Sequence, residues 1–166
     1  DNLFLEHYYR FMELKPAITA PAEPRPVPVV GKSGIRFEHV CFSYPGCSAK
    51  VLSDINLRIY PGQIVAFAGG NGSGKTTLIK LLCRLYDPDE GCITVEGVDL
   101  RQLDPVRWRK EVSVIFQDYI HYQLKAWENI WLGNHERKAE RARVAEAARF
   151  SGADSVIRNL PQEYDT

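Results

Sequence analysis

The sequence has no excess charge of either sign: Lys+Arg and Asp+Glu stand at 21 each over 166 residues. A balanced chain carries no long-range field that would gather nucleic acid, so no nucleic-acid partner is expected. No apolar run approaches the ~20 residues that a membrane-crossing helix needs, and no secretory leader opens the chain. The cysteines Cys41, Cys47, Cys83 and Cys92 contain no C-x-x-C pair, and His7, His39, His121 and His135 stand at no zinc-ligand spacing from them. Cys83 and Cys92 fall in apolar segments and read as buried free thiols of a reducing compartment. The first residue is Asp1 rather than methionine, and the chain stops at Tyr164-Asp165-Thr166 with no closing helix. It reads as one domain with an appendage, cut from a longer polypeptide.

What is present is a glycine loop. Gly69-Gly70-Asn71-Gly72-Ser73-Gly74-Lys75-Thr76 fits G-x-x-x-x-G-K-[ST] at every fixed position. The apolar run Gln63–Ala68 before it predicts a buried strand. Residues 77–86 after it predict a helix with Leu78, Leu81, Leu82 and Leu85 on one face. Glycines let the backbone wrap so that successive N–H groups converge on a polyphosphate. The helix that starts near Lys75 adds the positive end of its dipole. Lys75 is then the cation for the β- and γ-phosphates, and the Thr76 hydroxyl is a ligand for Mg²⁺.

Around this loop the chain is organised as follows. Residues 2–14 predict a helix with Phe4, Tyr8, Phe11 and Leu14 on one face, either packed on its own domain or continuing from a segment that precedes it. From Lys15 to Val30 the prolines Pro16, Pro21, Pro24, Pro26 and Pro28 mark an extended, semi-rigid linker, with a domain boundary near 31–34. Ile35–Tyr44 and Ile55–Ile59 read as strands, and with Gln63–Ala68 they predict an antiparallel β subdomain. Ile93–Val95 and Val112–Phe116 are further short strands. Asp104-Pro105 is an N-cap followed by an N1 proline, opening a helix through Lys110. Glu136–Phe150 predicts a helix with Val144, Ala147, Ala148 and Phe150 in its apolar stripe, and 153–160 a shorter one.

Neither N-K-x-D nor D-x-x-G occurs, which removes the GTPase reading. Spacing alone leaves a small-molecule kinase open. The order of the remaining landmarks resembles the ATP-binding cassette (ABC) transporter ATPases of the exporter-like branch over nearly the whole chain. Those landmarks are Phe42-Ser43-Tyr44-Pro45-Gly46, Val51–Leu57 with Pro61-Gly62, the glycine loop, Asp87–Gly91, Gly97–Leu100, Val114–Asp118, Glu128-Asn129-Ile130 and Leu160–Thr166. The resemblance implies an α/β P-loop NTPase core with an antiparallel β subdomain and the start of a helical subdomain, incomplete at the C-terminus. It assigns 1–15 to a helix continuing from a membrane domain, 16–33 to the linker and 34–166 to a partial ATP-binding domain.

By the same resemblance Tyr44 stacks on adenine and Val51 touches its other side. Gly69, Gly70, Asn71, Gly72, Ser73, Gly74, Lys75, Thr76 and Thr77 cradle the phosphates of ATP. Gln117 binds Mg²⁺ and senses the attacking water, which explains Val112–Asp118 better than a Walker B strand does. Residues Tyr119–Asn129 face the transmembrane domain, and a second ATP-binding domain closes over the nucleotide at the cytoplasmic face of the cell membrane.

No L-S-G-G-Q string, no Walker B Asp-Glu pair and no switch histidine after it occur in the 166 residues. The expectation is that the intact protein hydrolyses ATP and that this chain binds it weakly without turnover. The alternatives are a degenerate regulatory ATP-binding module, or a soluble ABC-type ATPase without a transport role.

Overall fold

A computed structural model of the chain describes residues 2–29, 31–117, 119–120 and 122–166. It divides into two units, residues 1–114 and 115–166. The first begins with helix α1 (Asn2–Met12). Its apolar side chains Leu5, Tyr8, Tyr9, Phe11 and Met12 are more than half exposed, as is Leu14 just beyond its end. The side chain of Phe4 lies outside the description.

The body of this unit is a four-stranded antiparallel sheet in the order β2-β1-β3-β4. Its strands are β1 (Ile35–Phe42), β2 (Leu52–Ile59), β3 (Glu90–Val95) and β4 (Val98–Asp99). The third long strand is therefore β3, not the segment before the glycine loop. Phe37 pairs with Leu57 on one side and Ile93 on the other. The register shifts between Phe37 and Val40, where His39 takes a positive φ of 50°. That bulge resets the alternation, so Phe37, Val40 and Phe42 all reach the core. With Leu81, Ile93, Val95, Leu103 and Trp108 they form one buried cluster, each large apolar side chain contributing about 1.5–3 kcal/mol on burial.

Helix α2 (Lys75–Leu82) packs Leu78 and Leu81 into this cluster. It stops earlier than the leucine spacing predicts, and Leu85 is 40% exposed. The cause is a Schellman ending: the Arg84 N–H donates to Leu81 O and the Leu85 N–H to Lys80 O, both at 2.9 Å. Arg84 occupies the left-handed position, with φ 50°. Helix α3 (Pro105–Lys110) forms as Asp104-Pro105 predicts, with the Asp104 carboxylate accepting from the N–H groups of Val106 at 2.8 Å and Arg107 at 3.0 Å. Those bonds hold the Asp104 carboxyl below the usual carboxylate range.

Two predicted strands, 63–68 and 112–116, carry no strand pairing. Their burial still alternates: Val65, Phe67, Val112, Val114 and Phe116 are half-buried, while Ile64 and Ile115 are 97% and 90% exposed. Each has the side-chain pattern of a strand, but a ladder also requires a neighbour for the backbone groups.

The proline-rich segment is docked rather than free. The Arg25 N–H donates to Gln102 O at 2.8 Å and Arg25 forms a parallel bridge with Leu103. Val27 packs on the core. At the segment's end the Glu96 carboxylate accepts from the backbone N–H groups of Gly31, Lys32, Ser33 and Gly34 at 2.8–3.2 Å. These bonds, led by Gly31, Ser33 and Gly34, pull its pKa down to about 2.

The second unit is helical, with α4 (Ala126–Leu132), α5 (Arg141–Ser151) and α6 (Asp154–Ile157). Of the stripe predicted on α5 only Val144 and Ala148 are buried; Ala147 is exposed and Phe150 is 96% exposed. Asp165 ties the unit together, accepting from Arg141 at 2.7 Å and Lys125 at 3.2 Å. The Arg141 guanidinium also sits 4.4 Å over the Trp127 ring. All four cysteines are free; Cys41 and Cys83 are buried, whereas Cys92 is only half-buried.

Candidate nucleotide site

The glycine loop enters α2 through Gly74, which lies against Leu52 at the start of β2. Gly74 has φ 86°, and a Cβ there would stand 2.6 Å from Leu52 Cδ2 and 3.3 Å from Val51 O. The position therefore needs both the conformational freedom and the small size of glycine. Gly69 through Ser73 are exposed, so their backbone is open to a ligand.

Lys75, the first residue of α2, turns back over the loop. Its ammonium donates to Gly69 O at 2.8 Å, Gly70 O at 2.7 Å and Ser73 Oγ at 3.1 Å. A cation is thus held at the mouth of the loop, at the positive end of the helix dipole. Thr76 is exposed next to it, and Thr77 is 4% exposed.

Tyr44 lies in the same unit, just past β1. Its hydroxyl is 3.0 Å from Thr77 Oγ1. Its ring makes edge contacts with Phe42 at 5.1 Å and Tyr86 at 5.4 Å, and the Lys80 ammonium stands 5.4 Å from its centroid. The chain just before Tyr44 is anchored by the Ser43 N–H, which donates to the Asp89 carboxylate at 2.7 Å. Val51 is half-buried and donates its N–H to Phe42 O at 2.8 Å, which places it between the end of β1 and Gly74.

Tyr44, Val51 and Gly69–Thr77 are thus gathered in one unit. Gln117 belongs to the other, where it is an exposed turn residue, and Asp118 lies outside the described residues. In the segment Tyr119–Asn129, Tyr119, Ile120, Tyr122 and Leu124 are exposed, and Asn129 Nδ2 donates to Leu124 O at 2.9 Å; His121 lies outside the description.

Sequence reasoning missed Lys80, Asp89 and Arg84. Lys80 stands one turn beyond Thr77 on α2, a spacing that could have flagged it. Asp89 stands in the sequence only within the landmark Asp87–Gly91, and its anchoring of Ser43 is a long-range contact.

A glycine loop feeding a helix whose first residue is an inward-turned lysine, beside an aromatic platform, defines a P-loop nucleotide-binding fold. The ABC transporter family model matches residues 52–164, and the chain belongs to that family. The subtilin transport ATP-binding protein SpaT of Bacillus subtilis is 32% identical over 166 residues, covering 100% of this chain and 27% of that protein. A putative multidrug export ATP-binding/permease protein of Staphylococcus aureus is 40% identical over 140 residues, 84% of this chain and 24% of its own length. Mouse ATP-binding cassette sub-family B member 5 is 36% identical over 159 residues, 95% of this chain and 12% of its own. A bacterial Atm1-family ABC exporter, solved with ATP bound, superposes with a TM-score of 0.84 at 29% identity, over 98% of this chain and 28% of that one. The chain is an exporter-type ATP-binding domain sequence, and it spans between 12% and 28% of the length of these proteins.

Proposed function

We propose that this chain is the ATP-binding module of a transporter that couples ATP binding and hydrolysis to moving a substrate across a membrane. The observation that carries this reading is the Lys75 ammonium held over the open backbone of Gly69–Ser73 at the start of α2. Tyr44 offers a ring face to the adenine base, Val51 borders that site, and the loop through Thr77 takes the phosphates.

No three His, Cys, Asp or Glu side chains converge on a metal position among the described residues. A divalent ion beside Thr76 would take phosphate oxygens into its shell, as suits Mg²⁺. Thr76, exposed beside Lys75, is the side chain of this unit that would hold it; Gln117, which the resemblance adds, stands in the other unit. When bound, Mg²⁺ neutralises charge on the β- and γ-phosphates. The chain's own residues bind and orient: Lys75 meets the phosphate charge, and the N–H groups of the loop fix the phosphate position.

In this reading α1 continues from the membrane domain, and residues Tyr119–Asn129 meet that domain. A second ATP-binding domain completes the site at the cytoplasmic face of the membrane. The test is equilibrium titration of a fluorescent ATP analogue in the presence of Mg²⁺. Saturable binding that MgATP displaces is expected; no displaceable binding by a folded chain would overturn the reading.

A further inference from the structure

Arg84 is a buried cation at the C-terminal end of α2, only 4% exposed. It occupies the left-handed C′ position, φ 50°, where glycine is the usual residue. What glycine cannot supply is the side chain. Arg84 Nη1 donates to Leu103 O at 2.6 Å, Nε to Asp87 Oδ1 at 3.2 Å, and Nη2 to Thr19 O at 3.2 Å. Thr19 belongs to the proline-rich tether. Six residues on, the Arg25 N–H bonds Gln102 O, next to the Leu103 whose carbonyl Arg84 already holds. Two points on the tether are thereby fixed around one guanidinium.

The helix end is held from the other side as well. Arg109 donates to Cys83 O at 3.1 Å and Arg84 O at 2.6 Å, and the Trp108 indole N–H donates to Leu82 O at 2.7 Å. The opposite end of the same eight-residue helix is the phosphate loop. An eight-residue helix is about 12 Å long and moves as one rod. Whatever orders one end therefore bears on the other.

We propose that Arg84 is a positioning residue that clamps the tether to the nucleotide helix, so that tether docking and nucleotide occupancy favour one another. The link rests on the reading of the glycine loop as a nucleotide site. It is reciprocal: the factor by which nucleotide stabilises the docked tether is the factor by which docking tightens nucleotide binding. The tether thereby becomes a strap that reports the state of the phosphate loop to whatever precedes it.

Hydrogen exchange over residues 17–29, with and without saturating MgATP, tests this. In the unaltered chain MgATP is expected to slow tether exchange about fivefold or more. Arg84→Lys keeps the charge but cannot reach Leu103 O, Asp87 and Thr19 O together. Its tether is expected to exchange about fivefold faster, to lose the response to MgATP, and to bind MgATP more weakly by the factor that MgATP slows exchange in the unaltered chain. Arg25→Pro deletes the tether N–H bonded to Gln102 O, together with an exposed side chain, in a stretch already flanked by Pro24 and Pro26, and is expected to act in the same direction. It decides the matter if Arg84→Lys does not fold. Unchanged tether exchange in the folded variants overturns the clamp. MgATP that binds without slowing tether exchange overturns the link. MgATP that fails to bind overturns the nucleotide reading and the link with it, while the nucleotide-free exchange of the variants still decides the clamp.

Discussion

The hydroxyl of Tyr44 and the hydroxyl of Thr77 stand 3.0 Å apart, joining the loop after β1 to the first turn of α2. Thr77 is buried, so this bond fixes where the Tyr44 ring can lie. The Tyr44 ring and the helix that follows the glycine loop are thereby parts of one frame. Tyr44→Ala is expected to weaken MgATP binding by about 1–3 kcal/mol, the worth of one aromatic–base stack. It should leave binding of inorganic tripolyphosphate, which has no base, nearly unchanged. Tyr44→Phe keeps the ring and loses the anchor, so its loss should be smaller. Paired titrations with the two ligands check both; an equal loss for tripolyphosphate would count against base stacking.

Lys75 makes its contacts with carbonyls and a hydroxyl at the mouth of the loop, not with the core. Lys75→Ala should therefore spare the fold and remove the charged bond to phosphate. The expected loss is about 1.5–3 kcal/mol, roughly 10- to 150-fold in Kd. Titration beside a thermal melt separates the two effects: weaker binding with an unchanged melting temperature is the expected pair of results.

The parts that were legible in the sequence are those whose signal is local. The glycine loop and the Asp104-Pro105 cap are set by residue type at fixed spacing, and both form as read. The segments 63–68 and 112–116 show where local signal stops. Their side chains alternate as strands do, but pairing depends on another stretch of backbone. Helix α4 was legible in principle, since Trp127, Ile130 and Trp131 recur at helical spacing. The ending of α2 was not, because an arginine takes the place usually marked by glycine. Tether docking runs largely through main-chain N–H and C=O groups, which every residue carries, so no residue pattern announced it.

Trp108 joins α3 to the end of α2 by burial and by its indole N–H on Leu82 O. Trp108→Ala should lower stability by about 3–5 kcal/mol through the cavity and the lost bond. Trp108→Phe keeps most of the volume and should cost less. Urea midpoints at constant m-value measure both. A loss within about 0.5 kcal/mol for the alanine variant, the range of an ordinary surface substitution, would show that this contact does not hold the core.

Glu96 ends the tether by accepting four backbone N–H groups, and its pKa falls from an ordinary 4.5 to about 2. A carboxyl whose folded pKa is depressed contributes stability that is present above its unfolded pKa and lost as pH falls through the folded one. The contribution is therefore complete above about pH 5 and disappears between about 4.5 and about 2. Hydrogen exchange at residues 31–34 should accelerate over that window relative to a reference peptide. Glu96→Gln should remove the pH dependence by fixing the side chain in a neutral form, with fast exchange already at pH 7. Persistence of the acid-dependent step in that variant would assign it to another carboxylate.

The last prediction concerns turnover. The 166 residues include the glycine-loop lysine Lys75 and the candidate Mg²⁺ ligands Thr76 and Gln117, but no Asp-Glu pair after a Walker B strand and no L-S-G-G-Q string. Positioning and charge neutralisation can hold a phosphoryl group, whereas turnover also needs a group that orients the attacking water. The chain is expected to bind MgATP and to release phosphate no faster than its Lys75→Ala variant at equal nucleotide saturation. Phosphate release that is abolished by Lys75→Ala would mean that residues within this chain complete the chemistry, with Gln117 the first to replace by alanine.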